Sequence, residues 1–232
     1  VLVVTETAGY RHSSIPVAVR LLEELGSETG QWEVADQADT AEQVAAWITA
    51  ANLTRLHAVA FANTSGTLSF TPAGSAAFYE WIRTGGAFMG IHSASDTFHG
   101  DPLYLELLGA EFDTHGPGRT TVEAVVQDPG HPACAELPTS FAISDEIYEF
   151  KHWTRAGVHS LLSLHAHPQT GAPGDFPVSW TRHMGVGRAF YTSLGHFEDV
   201  FDDPRYRAHV RGGMRWALGL APGDDTPGNP VR

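Results

Sequence analysis

Gly85-Gly86-Ala87-Phe88-Met89-Gly90-Ile91-His92-Ser93-Ala94-Ser95-Asp96 is an apolar run that ends at a histidine followed by small residues. It reads as a buried strand that turns sharply and presents one polar side chain. In open α/β sheets, ligands and chemistry collect just past the carboxyl ends of strands. A nucleophile elbow has this shape, because small residues permit a tight strand-to-helix turn. Here the tip residue is His92, neither serine nor cysteine.

The flanking segments fit the same reading. Thr71-Pro72 opens a predicted helix carrying Phe78, Trp81 and Ile82. Ala58 to Ala62 is a buried strand ending in the turn-forming Asn63-Thr64-Ser65-Gly66. Further back, Val1 to Thr5 is a strand, Glu6 to Ser13 a polar loop, and Ser13 or Ser14 caps a helix with Pro16 in its first turn. Trp32 to Ala35 is expected as a second strand and Thr40 to Ala51 as a second helix. Strands alternating with helices predict an α/β fold with a mostly parallel central sheet covered on both faces. The second half is less regular. Thr120 to Val126 alternates like a half-exposed strand, Val178 to Thr181 and Arg188 to Leu194 form a hairpin, and Pro204 to Leu218 is a closing helix. One domain over residues 1–220 is expected, with 221–232, rich in Pro, Gly and Asp, as a linker or disordered tail.

Composition limits the partners. At 232 residues and 42% hydrophobic content the chain is long enough for one sizeable core. A formal charge of −13 disfavours nucleic acid and anionic membrane surfaces. No membrane-spanning run, P-loop or dinucleotide fingerprint is present, so no nucleotide cofactor is expected. Secretion is expected if an upstream signal peptide has been removed, and a cytoplasmic location otherwise. The single Cys134 excludes a thiolate metal cluster.

Thirteen histidines stand out. His12, His92 and His196 follow strands, so a parallel sheet brings them to one edge. Imidazole is a common ligand for zinc and similar ions and a base near neutral pH. His12, His92, His115 and His196 are therefore the candidate ligands of a divalent ion such as zinc, manganese or calcium. His92, His196, Glu198 and Tyr148 are candidate catalytic groups, Glu198 being placed to orient His196 two residues before it. Tyr10, Arg11, Asn63, Thr64, Ser93, Asp96, Asp145 and Glu146 are candidate substrate contacts.

Five ordered motifs carry a family resemblance: Gly9-Tyr10-Arg11-His12-Ser13-Ser14-Ile15, Phe61 to Gly66, Gly90 to Asp96, Asp145-Glu146-Ile147-Tyr148, and Gly187 to His196. Together they resemble the ThuA-like (trehalose utilisation) family over about residues 1–220. The resemblance implies a class I glutamine amidotransferase-like fold, a flavodoxin-like three-layer sandwich. It also implies carbohydrate metabolism, often beside a sugar dehydrogenase that acts upstream to make 3-keto sugars. True glutamine amidotransferases carry a cysteine at the elbow and a later His-x-Glu pair. This chain keeps His196-Phe197-Glu198 but has His92 at the elbow, which rules against the thioester route. The expected activity is cleavage of a glycosidic bond in an oligo- or polysaccharide, as a lyase or a hydrolase, with metal assistance. The alternatives are a non-catalytic carbohydrate-binding accessory domain and an enzyme that processes 3-keto sugars.

Overall fold

A computed structural model describes residues 1–232. In chain order the elements are β1 (Leu2–Val4), α1 (Ile15–Thr29), β2 (Asp36–Ala38), α2 (Ala41–Trp47), α3 (Ala50–Leu53), β3 (Ala58–Ala62), α4 (Pro72–Arg83) and β4 (Ala87–Ile91). There follow α5 (Pro102–Leu108), β5 (Glu111–His115), β6 (Thr120–Val126), β7 (Ser140–Asp145), β8 (Tyr148–Lys151), β9 (His159–Ala166), β10 (Pro173–Met184), β11 (Gly187–Thr192) and α6 (Pro204–Ala217).

Nine strands form one sheet in the order β2-β1-β3-β4-β11-β10-β9-β6-β7, while β5 and β8 pair separately. The first five strands are mutually parallel, in the 2-1-3-4-5 order of doubly wound folds. From β11 onward every ladder is antiparallel, and these strands are the longer ones. The sheet is thus mixed, which corrects the expectation of a mostly parallel one. The cause is the β9–β10–β11 meander, whose tight Gly185-Val186 turn reverses the chain where a helical crossover would keep it parallel.

Side-chain alternation along the parallel strands builds two cores. Val3, Ala60, Met89 and Ile91 point toward α1 and α6, and Leu2, Val4, Phe61 and Phe88 toward α2 to α5. On the second face Phe61, Phe78, Phe88 and Tyr104 cluster at ring distances of 5.1 to 6.4 Å. Burying each such ring contributes about 1.5–3 kcal/mol.

Two local expectations are revised. The stretch Trp32 to Ala35 pairs only with Val1, whose amino group donates to the Glu33 carbonyl and whose carbonyl accepts from Ala35 N, both at 2.8 Å. The Trp32 indole donates to the Leu22 carbonyl (3.0 Å) and packs on α1, and the registered ladder with β1 begins at Asp36. The helix expected over Thr40 to Ala51 breaks at Ile48, because the Thr49 hydroxyl accepts from Asn52 N and starts a new helix. Residues 221–232 carry no helix or strand. They lie along β9, where the Asn229 amide accepts from Ser160 N and donates to Ser160 O, both at 2.9 Å.

Candidate functional site

Register fixes where the site forms. Ala62, Ile91 and Thr192 are mutually aligned through β4, so the residues after them, Asn63, His92 and Ser193, emerge together at the carboxyl edge. His92 sits at φ 49°, a left-handed conformation unusual for a residue with a side chain. Such a residue costs on the order of 1–3 kcal/mol and persists only where its surroundings hold it. Here the Tyr191 hydroxyl donates to the His92 carbonyl (2.7 Å), and His92 Nδ1–H donates to the Ser193 carbonyl (2.7 Å). The second bond decides the tautomer: with its proton on Nδ1, His92 presents the lone pair of Nε2 to the cleft.

His196 is positioned by a different device. Asp145, at the end of β7 and fully buried, accepts from the backbone N–H groups of Gly195 (2.6 Å), His196 (3.2 Å) and Phe197 (3.4 Å). Burial pushes its carboxyl above the usual range, against the pull of these N–H groups. Gly195 lies at φ 115°, and a Cβ there would come within 2.9 Å of the Tyr206 hydroxyl. Its carbonyl accepts from Asn63 Nδ2 (2.8 Å) and Ser14 Oγ (3.1 Å), which explains why Ser14 gives no side-chain cap to α1.

Four side chains converge: one ligand-type atom each from His12, His92, Glu146 and His196 lies within 4.8 Å of all the others. Glu146 Oε2 is 2.9 Å from His196 Nδ1 and 3.6 Å from His92 Nε2, and those two nitrogens are 3.2 Å apart. Ligands at zinc-like distances in a tetrahedron are about 3.4 Å from one another. The observed separations bracket that value. A carboxylate oxygen facing two imidazole nitrogens needs a proton on at least one of those nitrogens or a cation between the three atoms. Burial opposes ionisation of Glu146, but its hydrogen bond with His196 and the neighbouring imidazoles outweigh it and hold the carboxyl well below its ordinary range. Burial, reinforced by His92 and His196, lowers His12 to about 3, so its ring is neutral and able to ligate. Ser93 Oγ lies 3.3 Å from His12 Nδ1. The His92 contact to a backbone carbonyl is the outer hydrogen bond typical of metal-binding histidines.

A cleft of about 450 Å³ opens on this cluster, lined by Tyr10, His12, Asp96, Phe112, His115, Glu146, Tyr148 and His196. Its size falls within the usual range for small-molecule sites. The Tyr148 hydroxyl is 3.0 Å from His92 Nε2, and burial pushes its pKa far up, so it keeps its proton.

The remaining residues singled out in the sequence fall elsewhere. His115 Nδ1 is 2.7 Å from the Gly116 carbonyl and 3.2 Å from Glu146 Oε1, so His115 reaches the cluster through Glu146. Glu198 is exposed, and no hydrogen bond or ion pair joins it to His196. Arg11 turns away to Asp39 (2.6 Å), and Thr64 is buried against Thr97. Asn63 and Asp145 hold the Gly195 turn and do not line the cleft. Asp96 lines it and meets His99 at 2.6 Å. Sequence reading did not single out Phe112, whose ring stacks obliquely on Tyr148 at 4.3 Å, nor Tyr191; both lie in ordinary strand patterns.

The sequence model of the ThuA family, described as trehalose utilisation, matches residues 1–217. No curated protein matches the chain. Among solved structures, a ThuA-like protein from Parabacteroides merdae is similar at 17% identity and a TM-score of 0.77, over 99% of this chain and 95% of that one. One from Bacteroides uniformis is similar at 21% identity and a TM-score of 0.73, over 93% and 90%. An exo-β-1,4-mannosidase from an Opitutaceae bacterium aligns at 10% identity and a TM-score of 0.53, over 97% of this chain and 36% of its own. These likenesses concern the fold.

Proposed function

The chain belongs to the ThuA family, whose description places it in carbohydrate utilisation, and from that premise we propose that it is a metal-dependent enzyme that cleaves a glycosidic bond. The observation that carries this reading is the convergence of His12, His92, His196 and Glu146 within 4.8 Å beneath an open cleft. A divalent ion held there would serve as a Lewis acid on a carbonyl or carboxylate oxygen of the sugar and acidify the neighbouring C–H. The chain's own groups supply the rest. His92 is locked in one tautomer by Ser193, so its cleft-facing nitrogen is always an acceptor. Tyr148 lines the cleft with its hydroxyl 3.0 Å from His92 Nε2, where it serves as the acid that protonates the departing oxygen.

Elimination fits better than two-carboxylate hydrolysis, which requires a free acid and a free base at defined separation. Of the three carboxylates nearby, Asp145 is enclosed by backbone N–H groups and Glu146 is tied to the histidines. Asp96 alone is left, and it would take the C–H proton while Tyr148 gives its own to the departing oxygen. A 3-keto sugar, made by an upstream sugar dehydrogenase, has the acidic C–H that elimination needs.

The test is elemental analysis of purified protein before and after chelation, with a product screen on neutral, 3-keto and uronic-acid oligosaccharides. About one equivalent of divalent ion is expected for a single three-histidine site, with activity lost on chelation and restored on reloading. Full turnover by metal-free protein would overturn the proposed role of the cluster.

A further inference from the structure

The cleft over the histidine cluster has a neighbour. A second cleft, of about 470 Å³, is lined by Tyr10, His12, Ser13, Arg119, His196, Phe197, Glu198 and Asp199. Tyr10, His12 and His196 line both, so the two depressions meet on a ridge formed by two of the four converging side chains. Tyr10 stands on that ridge, 66% exposed, with its ring edge-on to His12 at 4.7 Å between centroids. A ligand confined to one cleft leaves the other unused. A ligand filling both carries a linkage directly over His12 and His196.

Charge narrows the chemistry. Arg119 is the one lysine or arginine lining either cleft. Both of its terminal nitrogens are bound to Asp199, at 2.6 and 2.9 Å, and its guanidinium lies 4.0 Å over the Phe197 ring. In the second cleft no side-chain cation is left free to receive a substrate carboxylate, and Glu198 adds negative charge there. Paired carboxylates with an arginine suit hydroxyl groups, which can donate to one and accept from the other.

We propose that the second cleft is a subsite for a second sugar residue, so that the chain takes a neutral sugar of at least two residues with the linkage lying across the His12–His196 ridge. This deepens the enzymatic reading above and rests on it for the identity of the bond that reacts. The side-chain charges of the second cleft disfavour a uronic acid at that position.

Calorimetric titration of the metal-loaded protein with trehalose, cellobiose and maltose, with glucose, and with a diuronic acid disaccharide tests it. At least one neutral disaccharide should bind about tenfold or more tighter than glucose, the gain expected from one or two added hydrogen bonds. The diuronic acid should bind weakest. Glu198→Trp, at an exposed position, fills the second cleft and should bring the disaccharide down to the level of glucose. Asp199→Asn releases Arg119 and should raise affinity for the diuronic acid. Equal binding of glucose and every disaccharide, no change in Glu198→Trp, or tight binding of the diuronic acid by the unaltered protein would overturn the proposal. Metal content measured on the same samples separates the two readings. Protein that holds no ion yet prefers the disaccharide overturns the metal centre and upholds the two-cleft subsite.

Discussion

Glu146 Oε2 lies 2.9 Å from His196 Nδ1, although 50 positions separate the two in sequence. Glu198, two positions along the chain from His196, faces solvent instead. Glu146→Gln should therefore weaken divalent-ion binding by more than the roughly 10- to 100-fold typical of groups that only support a ligand. Glu198→Gln should leave ion content unchanged. Equilibrium dialysis with zinc or manganese on both variants decides between the two partners, and the reverse pattern would reassign the role to Glu198.

Tyr148→Phe removes one hydroxyl and little else, since the ring remains stacked against Phe112 and His92. Turnover should fall by about 10²- to 10⁴-fold, the range for losing a general acid. Ion content and melting temperature should stay near those of the parent. A variant with parental kcat would remove Tyr148 from the chemistry.

Asp145→Asn keeps the shape of the side chain but offers one oxygen where two now accept backbone N–H groups. A buried donor left without its partner costs about 1–3 kcal/mol. A lower melting temperature is expected, together with weaker ion binding, because His196 loses its anchor. Unchanged values of both would show that the Gly195 turn holds itself in place.

The buried histidines set a pH dependence. Burial lowers both His131 and His209 to about 4, so the fold keeps each ring neutral. The unfolded chain takes up those protons at about 6.5. The stability they contribute is full above that pH and is lost progressively as pH falls from about 6.5 to about 4. Melting temperature should accordingly drop between pH 7 and pH 5. His209→Gln keeps a group able to donate to the Ala133 carbonyl and to pair with the Ser179 hydroxyl, without a titrating ring, and should show a shallower slope. Parallel slopes for variant and parent would count against this account.

The parallel half of the fold was legible because its signals are local. Ala58–Ala62 and Ala87–Ile91 are unbroken apolar runs, and the polar residue after each run is where the turn occurs. That is also why His12, His92 and His196 could be placed on one edge. The antiparallel half was harder to read. β10 contains Pro173 and Pro177, and its pairing with β9 shifts register near each, so the two-residue period is interrupted. The β5–β8 pair joins Glu111 to Lys151 across a long stretch of chain, and nothing local announces it. Glu146 was visible as half of an Asp-Glu pair, but spacing could not tell which carboxylate enters the cluster and which supports the turn. Burial decided it: Asp145 is enclosed by backbone N–H groups, and Glu146 meets the rings.

The contact from Ser14 Oγ to the Gly195 carbonyl spans 181 positions and closes the site across nearly the whole chain. During synthesis the amino-terminal strand and helix leave the ribosome long before the partner that orders their cleft-facing end. Until residue 196 arrives, His12 and His92 have no third imidazole to join them. An ion or sugar that needs all three imidazoles would bind the completed sheet and stabilise it by mass action against partly folded forms. For this chain, occupancy of the site would then report that folding has finished.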